Sequence, residues 1–325
     1  MNKVTIKTAV RIQITCMEAT YNLFPSLSRY FCGMIPDQPT TLLRGHQGAV
    51  YDLAWNAHAQ CWHSAGGDGV VATWALGEED GVAAFQHAAP FYSVTVWGEA
   101  VVGGNSSGEL FVKTAEGAST LHVHNAPVFS LWVDAQNRLW SGDGAGVICS
   151  WSWSAGRPEL LTQRPTSLGK VRHLTEHPQG LLASGGSGEW TVLDDQGTPV
   201  MGAHAHDRSC YWACHLASKD VVLSGGQDGQ LKVHRQGEEW MSLDVHQSAV
   251  YRAVVHRGVV WTAGRDKDVK AWSADTLDAL GKLTRPHARS VNAMAVGGPD
   301  GSLLATAGDD RTVKVWTLKG SPLHD

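Results

Sequence analysis

The sequence predicts an all-β protein that consists of seven copies of one small antiparallel sheet. The first observation is a stretch that occurs three times, as "SAGGDGVVATW" from Ser64, "TAGRDKDVKAW" from Thr262 and "TAGDDRTVKVW" from Thr306. The second is that an equivalent turn recurs every 38 to 44 residues along the chain. The third is that no window has a sustained helical period, whereas Gly, Asp and Asn separate short apolar runs. The seven turn positions are Asp68, Ser107, Ala145, Ser187, Asp228, Asp266 and Asp310.

Each unit has the strand content of a propeller blade. In the first unit, "AVYDLAW", "CWHSAGG" and "GVVATW" are three strands, and a weaker fourth leads to the next unit. A repeat of about 40 residues with four strands is typical of a β-propeller. One such sheet cannot cover both of its faces, but seven in a ring cover each face with a neighbour. We therefore expect a seven-bladed β-propeller of four-stranded antiparallel blades.

A histidine precedes the turn in six of the seven units, and an apolar strand opens four residues after it. The fourth unit has Ser167 in the histidine position, followed in register by Val171. These histidines are His46, His87, His124, His206, His246 and His287.

The repeats divide the chain into a propeller at residues 39–325 and an N-terminal extension at residues 1–38, which we expect outside the ring. Residues 1–33 contain the strand-like run "VTIKTAVRIQIT", so an additional edge strand or flap is the alternative. The tail after Trp316 is short and polar, whereas "PTTLLRG" before His46 has the length and apolar content of an outer strand. We therefore predict that Thr40 to Arg44 pairs with the strand that ends at Trp316 and closes the ring, which leaves no open sheet edge there.

From about residue 39 to residue 325 the chain resembles the WD-repeat β-propeller family. The resemblance lies in "RGHQGAVYDLAW", in the three stretches quoted above and in "LSGGQDGQLKVH", although no blade has Asp after its terminal Trp. It implies a buried hydrogen-bond chain in each blade from Asp through His and a hydroxyl to Trp. Such a chain satisfies every polar group in it, because the indole N–H can only donate. The implied chains are Asp310–His287–Thr306–Trp316, Asp266–His246–Thr262–Trp272 and Asp68–His46–Ser64–Trp74, while the fifth blade keeps Asp228, His206 and Ser224 but has His234 in place of Trp.

Composition limits the classes of partner. The formal charge of −5 gives no general attraction to nucleic acid or to an anionic membrane. No apolar window is long enough to span a bilayer, and the six cysteines show no disulfide framework. Without a recognisable export signal, these features predict a cytoplasmic protein with reduced thiols. We expect a monomeric propeller within a complex, with a protein or peptide partner, no direct nucleic-acid contact and no membrane contact.

Two stretches suggest chemistry at first sight. Ser224, His206 and Asp228 have the residue types of a hydrolase triad, but the same types recur in other blades, which a nucleophile would not do. "HAHDRSCYWACH" concentrates His and Cys, but Cys210 and Cys214 are not spaced as a close zinc-binding pair. The Gly-rich turns lack the Lys and helix of a phosphate-binding loop. We therefore predict no catalytic residue, no metal and no cofactor.

The residues five places after the histidine position are mostly aromatic. In the resembled family, this position opens the innermost strand and borders one mouth of the central channel, together with the residue before the turn Asp. Five aromatic residues in seven equivalent places favour an interaction surface, because a solvated rim would have small polar residues. The predicted partner-binding residues are Tyr51, Tyr92, Phe129, Arg172, Tyr211, Tyr251 and Asn292, with Gln227, Arg265 and Asp309 beside them.

These residues predict a non-enzymatic scaffold that binds a protein or peptide across the mouth. One alternative is that the aromatic side chains plug the channel or rest on one another. Another is a receptor for a small molecule or a cationic modified side chain, held by the rings with Asp309 nearby. A hydrolase-type enzyme is the third, with Arg172, Arg265 and Asp309 as the ionisable candidates.

Overall fold

The computed structural model describes residues 35–154, 156–283 and 285–318, which form seven four-stranded antiparallel sheets. Blades 1 to 3 comprise β2 (Val50–Asn56), β3 (Cys61–Gly66), β4 (Val70–Ala75), β5 (Val82–Gln86); β6 (Phe91–Trp97), β7 (Ala100–Asn105), β8 (Glu109–Lys113), β9 (Ala118–His122); and β10 (Val128–Val133), β11 (Leu139–Asp143), β12 (Val147–Ser154), β13 (Arg157–Pro165). Blades 4 to 6 comprise β14 (Val171–His177), β15 (Gly180–Gly185), β16 (Glu189–Leu193), β17 (Pro199–His204); β18 (Cys210–Leu216), β19 (Val221–Gly226), β20 (Gln230–Arg235), β21 (Glu238–Asp244); and β22 (Val250–His256), β23 (Val259–Gly264), β24 (Val269–Ser273), β25 (Ala279–Leu283). Blade 7 comprises β26 (Val291–Gly297), β27 (Leu303–Gly308), β28 (Thr312–Thr317) and β1 (Thr41–Arg44).

The blades form a closed ring. The first strand of each blade lies beside the first strand of the next, and β26 of blade 7 returns to β2 of blade 1. The predicted fold class is confirmed: an all-β, seven-bladed propeller. The described residues contain no helix that is long and apolar enough to cross a membrane.

The ring is closed by the first strand of the chain. Strand β1 pairs antiparallel with β28, so that Thr41 faces Val315 and Arg44 faces Thr312. The Thr40 N–H donates to the carbonyl of Val315 at 2.7 Å, which extends the pairing by one residue. This register confirms the predicted closure by Thr40 to Arg44.

The core lies between blades, where one sheet packs on the next. Leu43 of the closing strand is 2% exposed and packs in one cluster with Trp74 of blade 1 and Val313 of blade 7. At the outer strand of blade 6, Ile35 contacts Gly281 and packs beside Leu283. Residues 1–34 lie outside the described residues, so the placement of residues 1–33 stays a prediction.

The three complete hydrogen-bond chains implied by the sequence are present. In blade 7 the His287 Nδ1–H donates to Asp310 at 2.9 Å, its Nε2 accepts from Thr306, and the Trp316 indole donates to the same hydroxyl at 3.0 Å. Blades 1 and 6 have the same arrangement around Ser64 and Thr262. Each chain ties the turn, the second strand and the third strand of one blade together.

Blade 3 contains a fourth complete chain, which the repeat alignment missed. His124 lies between Asp143 at 3.0 Å and Ser141 at 2.8 Å, and Trp151 donates to the Ser141 hydroxyl at 3.0 Å. The alignment assigned the acidic position to Ala145. That assignment was wrong, because the carboxylate that bonds His124 belongs to Asp143 at the end of β11, two residues before Ala145.

The remaining blades retain only parts of the chain. In blade 5 His206 bonds Asp228 and Ser224, but the Nδ1 atom of His234, which replaces Trp, has no partner. In blade 2 Asn105 takes the place of the acid: its amide lies 3.4 Å from His87 Nδ1 and donates to Glu109 at 2.6 Å.

Candidate functional site: the channel mouth

A β-bulge at the second residue of every first strand forms the mouth of the channel. In blade 1 the pairing of β2 with β3 shifts register between Val50 and Asp52, which leaves Tyr51 as the additional residue. The same shift occurs in the other six blades. A bulge bends the strand and redirects the side chain of the additional residue. The seven bulge residues are the seven predicted mouth residues: Tyr51, Tyr92, Phe129, Arg172, Tyr211, Tyr251 and Asn292.

These seven side chains surround one open cavity of about 340 Å³, and all seven are half-buried. Ring centroids are 5.1 Å apart for Tyr51 and Tyr92, 5.1 Å for Tyr92 and Phe129, and 4.9 Å for Tyr211 and Tyr251. The rings therefore rest on one another around the rim, and the cavity between them remains open.

Two of the rings pack directly against a glycine, which has no side chain to hold them away from the turn. A Cβ on Gly67 would lie 3.1 Å from the Tyr51 ring, and a Cβ on Gly144 would lie 3.1 Å from the Phe129 ring. Both glycines occupy the position before the turn acid or its equivalent, so the turn and the bulge of one blade shape the rim together.

Arg172 interrupts the aromatic run. Its guanidinium carbon lies 5.0 Å from the Phe129 ring centroid and 5.2 Å from that of Tyr211, so one cation lies between two rings. Burial lowers the pKa of Arg172, although an arginine stays charged in proteins. The Lys170 ammonium lies 5.9 Å from the same Phe129 ring. Blade 4 therefore gives the rim its positive side.

The opposite side of the mouth is acidic. The Asn292 amide donates to the Asp309 carboxylate at 2.7 Å and to the carbonyl of Val50 at 3.1 Å. Burial, and to a smaller extent the neighbouring tyrosine and Asp309, raise the pKa of Tyr51. Asp309 also lines the cavity, and it belongs to blade 7, three blades away from Arg172.

The structure places the other two predicted residues further from the cavity. Gln227 is half-buried and Arg265 is exposed, and neither side chain lines the cavity. Both belong to turns between the second and third strands, and the charge of Arg265 opposes the rise that burial causes in the pKa of the nearby Tyr251. Only Asp309 of this set is held at the cavity, by its hydrogen bond from Asn292.

An ion pair below the rim was missed by sequence reasoning. Arg252 Nη2 lies 2.6 Å from Asp52 Oδ1, and the Val94 N–H donates to Asp52 Oδ2 at 3.1 Å. Blade 7, which lies between the two, has the small Ala293 at the equivalent position. Burial raises the pKa of Asp52, and Arg252 opposes that rise. The sequence contains a signal for this ion pair, since each of the two oppositely charged residues directly follows a mouth tyrosine.

The ion pair forms the floor of the mouth. Asp52 and Arg252 line the mouth cavity and also a second cavity of about 370 Å³ deeper in the channel. His173, at the equivalent position of blade 4, lines only the deeper cavity, and its Nδ1–H donates to the Ala213 carbonyl at 3.0 Å. Burial and the Arg252 charge lower the pKa of His173 to about 3, so this ring is neutral at physiological pH.

Ser224 and Cys210, which suggested other chemistry, are buried, whereas Cys214 is half-buried. Ser224 is 0% exposed and its hydroxyl is bonded to His206, so a substrate cannot reach it. Burial raises the pKa of Cys210 and of Cys214 to about 12, so both are protonated thiols at neutral pH. The described part of the chain holds no group of three or more His, Cys, Asp or Glu side chains that could bind a metal ion.

Two comparisons agree with the architecture. The family model described as "WD domain, G-beta repeat" matches residues 37–74 and 280–317, which include the complete chains of blades 1 and 7. A relative, DNA damage-binding protein 2 of Mus musculus, is 28% identical over 169 residues. That match covers 48% of this chain and 38% of the relative. The seven blades, the Asp–His–hydroxyl–Trp chains of four of them and these matches support the predicted resemblance to WD-repeat β-propellers.

Proposed function

We propose that the protein is a non-enzymatic interaction module that binds a protein or peptide in the mouth of its propeller. The observation that carries this proposal is the row of seven bulges, which directs five half-buried aromatic side chains to one open cavity. Tyrosine in such a place offers a large apolar area and a polar tip, and aromatic residues in pockets dominate binding energies at interfaces.

The same geometry supports a second candidate, a receptor for a cationic side chain. Burial raises the pKa of the Tyr51 and Tyr251 hydroxyls, and the charge of the nearby Asp309 adds to that rise. A carboxylate beside aromatic rings suits a methylated lysine or a similar cation. This candidate uses the blade 7 side of the mouth, whereas a peptide would lie across the whole of it.

The proposal extends to the setting of the module: a monomeric propeller within a cytoplasmic complex and away from membranes. Nucleic acid needs a separate test. The relative is named as a DNA damage-binding protein, so it does not support the prediction from net charge that nucleic acid is excluded. Fluorescein-labelled single-stranded and duplex oligonucleotides, titrated with the full chain at two salt concentrations, decide the matter.

A paired measurement on mouth and core variants tests the proposed function. Tyr51→Ala and Tyr251→Ala each remove a half-buried ring, so the thermal midpoint should change little, whereas Trp316→Ala removes a buried one, which costs about 3–5 kcal/mol. Affinity capture from native extract with the wild type and with the Tyr51→Ala/Tyr251→Ala double variant then measures partner retention. A bound protein that is lost with the double variant supports the proposal. If either tyrosine variant destabilises the fold as much as Trp316→Ala, the rings form a plug and the proposal fails.

A further inference from the structure

Arg172 is a cation without a counter-ion. No carboxylate among the described residues lies within salt-bridge distance of its guanidinium, and its Nε atom is buried without a hydrogen-bond partner. Arg252, which lines the same cavity, differs because Asp52 pairs with it at 2.6 Å. An unpaired polar atom in a buried place is costly and needs a reason.

The two rings beside Arg172 satisfy only part of the guanidinium. Phe129 and Tyr211 attract its positive charge, but the faces of these rings offer no lone pair to which the N–H groups could donate. The contacts also restrict the orientation of the guanidinium, so less conformational freedom remains to be lost when an anion binds. The Arg172 guanidinium is therefore already oriented to donate hydrogen bonds to an anion in the cavity.

Charge around the rim gives a bound ligand a direction. Arg172 and Lys170 are in blade 4, whereas Asp309 is in blade 7, three blades away, which is as far as a ring of seven allows. An anionic group is favoured at the first side and disfavoured at the second. One anion close to blade 4 fits this pattern, and a chain of anions across the whole mouth does not.

We propose that Arg172 binds a carboxylate of the partner, from an Asp or Glu side chain of a peptide that lies across the mouth. This inference rests on the proposed function and specifies the chemistry of the partner. An Arg–carboxylate contact is charge-assisted and is among the strongest hydrogen bonds in proteins. A peptide is favoured over nucleic acid because a phosphate backbone needs a series of free cations. At this mouth Arg252 is already paired with Asp52, Asp309 opposes the remaining cations, and the chain has a formal charge of −5.

Selection from random dodecapeptides displayed on phage provides the test. The immobilised full chain, Arg172→Gln and Tyr251→Ala are each screened, with Arg235→Gln as the matched control. Arg235 also stacks on an aromatic ring, Trp240 at 4.5 Å, but it is exposed and lies outside the mouth. We expect the wild type and the control to enrich peptides with Asp or Glu at one fixed position, and Arg172→Gln to lose that preference. Thermal midpoints confirm that each variant is folded. If Arg172→Gln is not folded, Arg172→Met, which also removes the charge, replaces it in the screen.

Fluorescence polarisation with a selected peptide then measures the contact. Replacing its acidic residue by the amide should weaken binding to the wild type by roughly 10- to 100-fold, as expected for a charged hydrogen bond. The same replacement should have little effect on binding to Arg172→Gln. An equal loss with both proteins would overturn the inference.

The outcomes separate the inference from the proposed function. If selected peptides need Tyr251 but share no acidic position, the mouth binds peptides and the role of Arg172 is refuted. If no selected peptide depends on Tyr251, the proposed function fails as well. If a labelled oligonucleotide binds the wild type, loses binding with Arg172→Gln, and no acidic peptide is selected, the anion is a phosphate and the assignment to a peptide is wrong.

Discussion

The hydrogen-bond chains make a sharp prediction about two buried serines. Ser64 and Ser184 both lie in the second strand of a blade and both are 0% exposed. The Ser64 hydroxyl bonds His46 Nε2 and the Trp74 indole, each at 2.8 Å. The Ser184 hydroxyl has no nitrogen or oxygen partner among the described residues and lies beside the Cys210 thiol, which forms only weak hydrogen bonds. Replacing either residue by Ala removes the same single oxygen atom, so the two variants differ only in what that oxygen bonds.

The expected magnitudes follow from the groups that lose their partners. In Ser64→Ala, the ring nitrogen of His46 and the indole N–H of Trp74 both become unpaired in a buried place. At about 1–3 kcal/mol for each unsatisfied group, the free energy of unfolding should fall by about 2–6 kcal/mol. Ser184→Ala removes a hydroxyl that is itself unsatisfied, so its effect should stay within about 0.5 kcal/mol or be stabilising.

Urea denaturation followed by far-ultraviolet circular dichroism measures both variants under the same conditions. Trp74→Phe, alone and combined with Ser64→Ala, completes a double-mutant cycle. The two changes should be clearly less than additive, because without the indole N–H there is one fewer donor to leave unpaired. Equal losses for Ser64→Ala and Ser184→Ala, or strict additivity in the cycle, would show that the chains do not stabilise the blades in this way.

Three further outcomes are expected. Deleting residues 1–45 removes strand β1, so the thermal midpoint should fall and the unfolding transition should broaden; an unchanged transition would contradict closure by this strand. Burial alone would raise the pKa of Asp266, but its hydrogen bonds from His246 and from the backbone N–H groups of Gln247 and Asp268 outweigh burial and hold the pKa at about 2, below the ordinary 3.8. This carboxylate therefore contributes about 2 kcal/mol above pH 4 that is lost as the pH falls towards 2, and Asp266→Asn should reduce the difference in unfolding free energy between pH 5 and pH 3. Cys210 and Cys214, whose pKa burial raises to about 12, should resist maleimide in the native protein and react in guanidinium chloride, as site-resolved mass spectrometry would show; rapid native labelling would refute their packing.

The fold could be predicted because its signal is repeated. Seven copies of one pattern compensate for the loss of individual residues, so blades 2 and 4 were identified without Asp or Trp at the usual places. The bulge residues were found for the same reason, since a fixed spacing from the histidine position leads to all seven.

The pattern could not predict contacts between blades that break the repeat. The pair of Asp52 and Arg252 joins residues 200 apart in sequence and depends on the small Ala293 between them, which no single repeat contains. Asp143 was missed because a carboxylate from the strand end can reach the same histidine as one from the turn. The state of Arg172, between two rings and without a counter-ion, depends on side chains of the neighbouring blades.

Closure by strand β1 has a consequence for how the chain reaches its final form during synthesis. The hydroxyls of Thr40 and Thr317 meet at 2.7 Å although 277 positions separate the two residues. At about 5–20 residues per second, a ribosome needs roughly 14–55 s to make the intervening chain. During that time the β1 segment has no partner strand, and its apolar residues Leu42 and Leu43 lack their native contacts. A circular permutant that begins between two blades would give every blade four consecutive strands, so that packing between its first and last blades, and no strand pairing, would join the two ends of its chain.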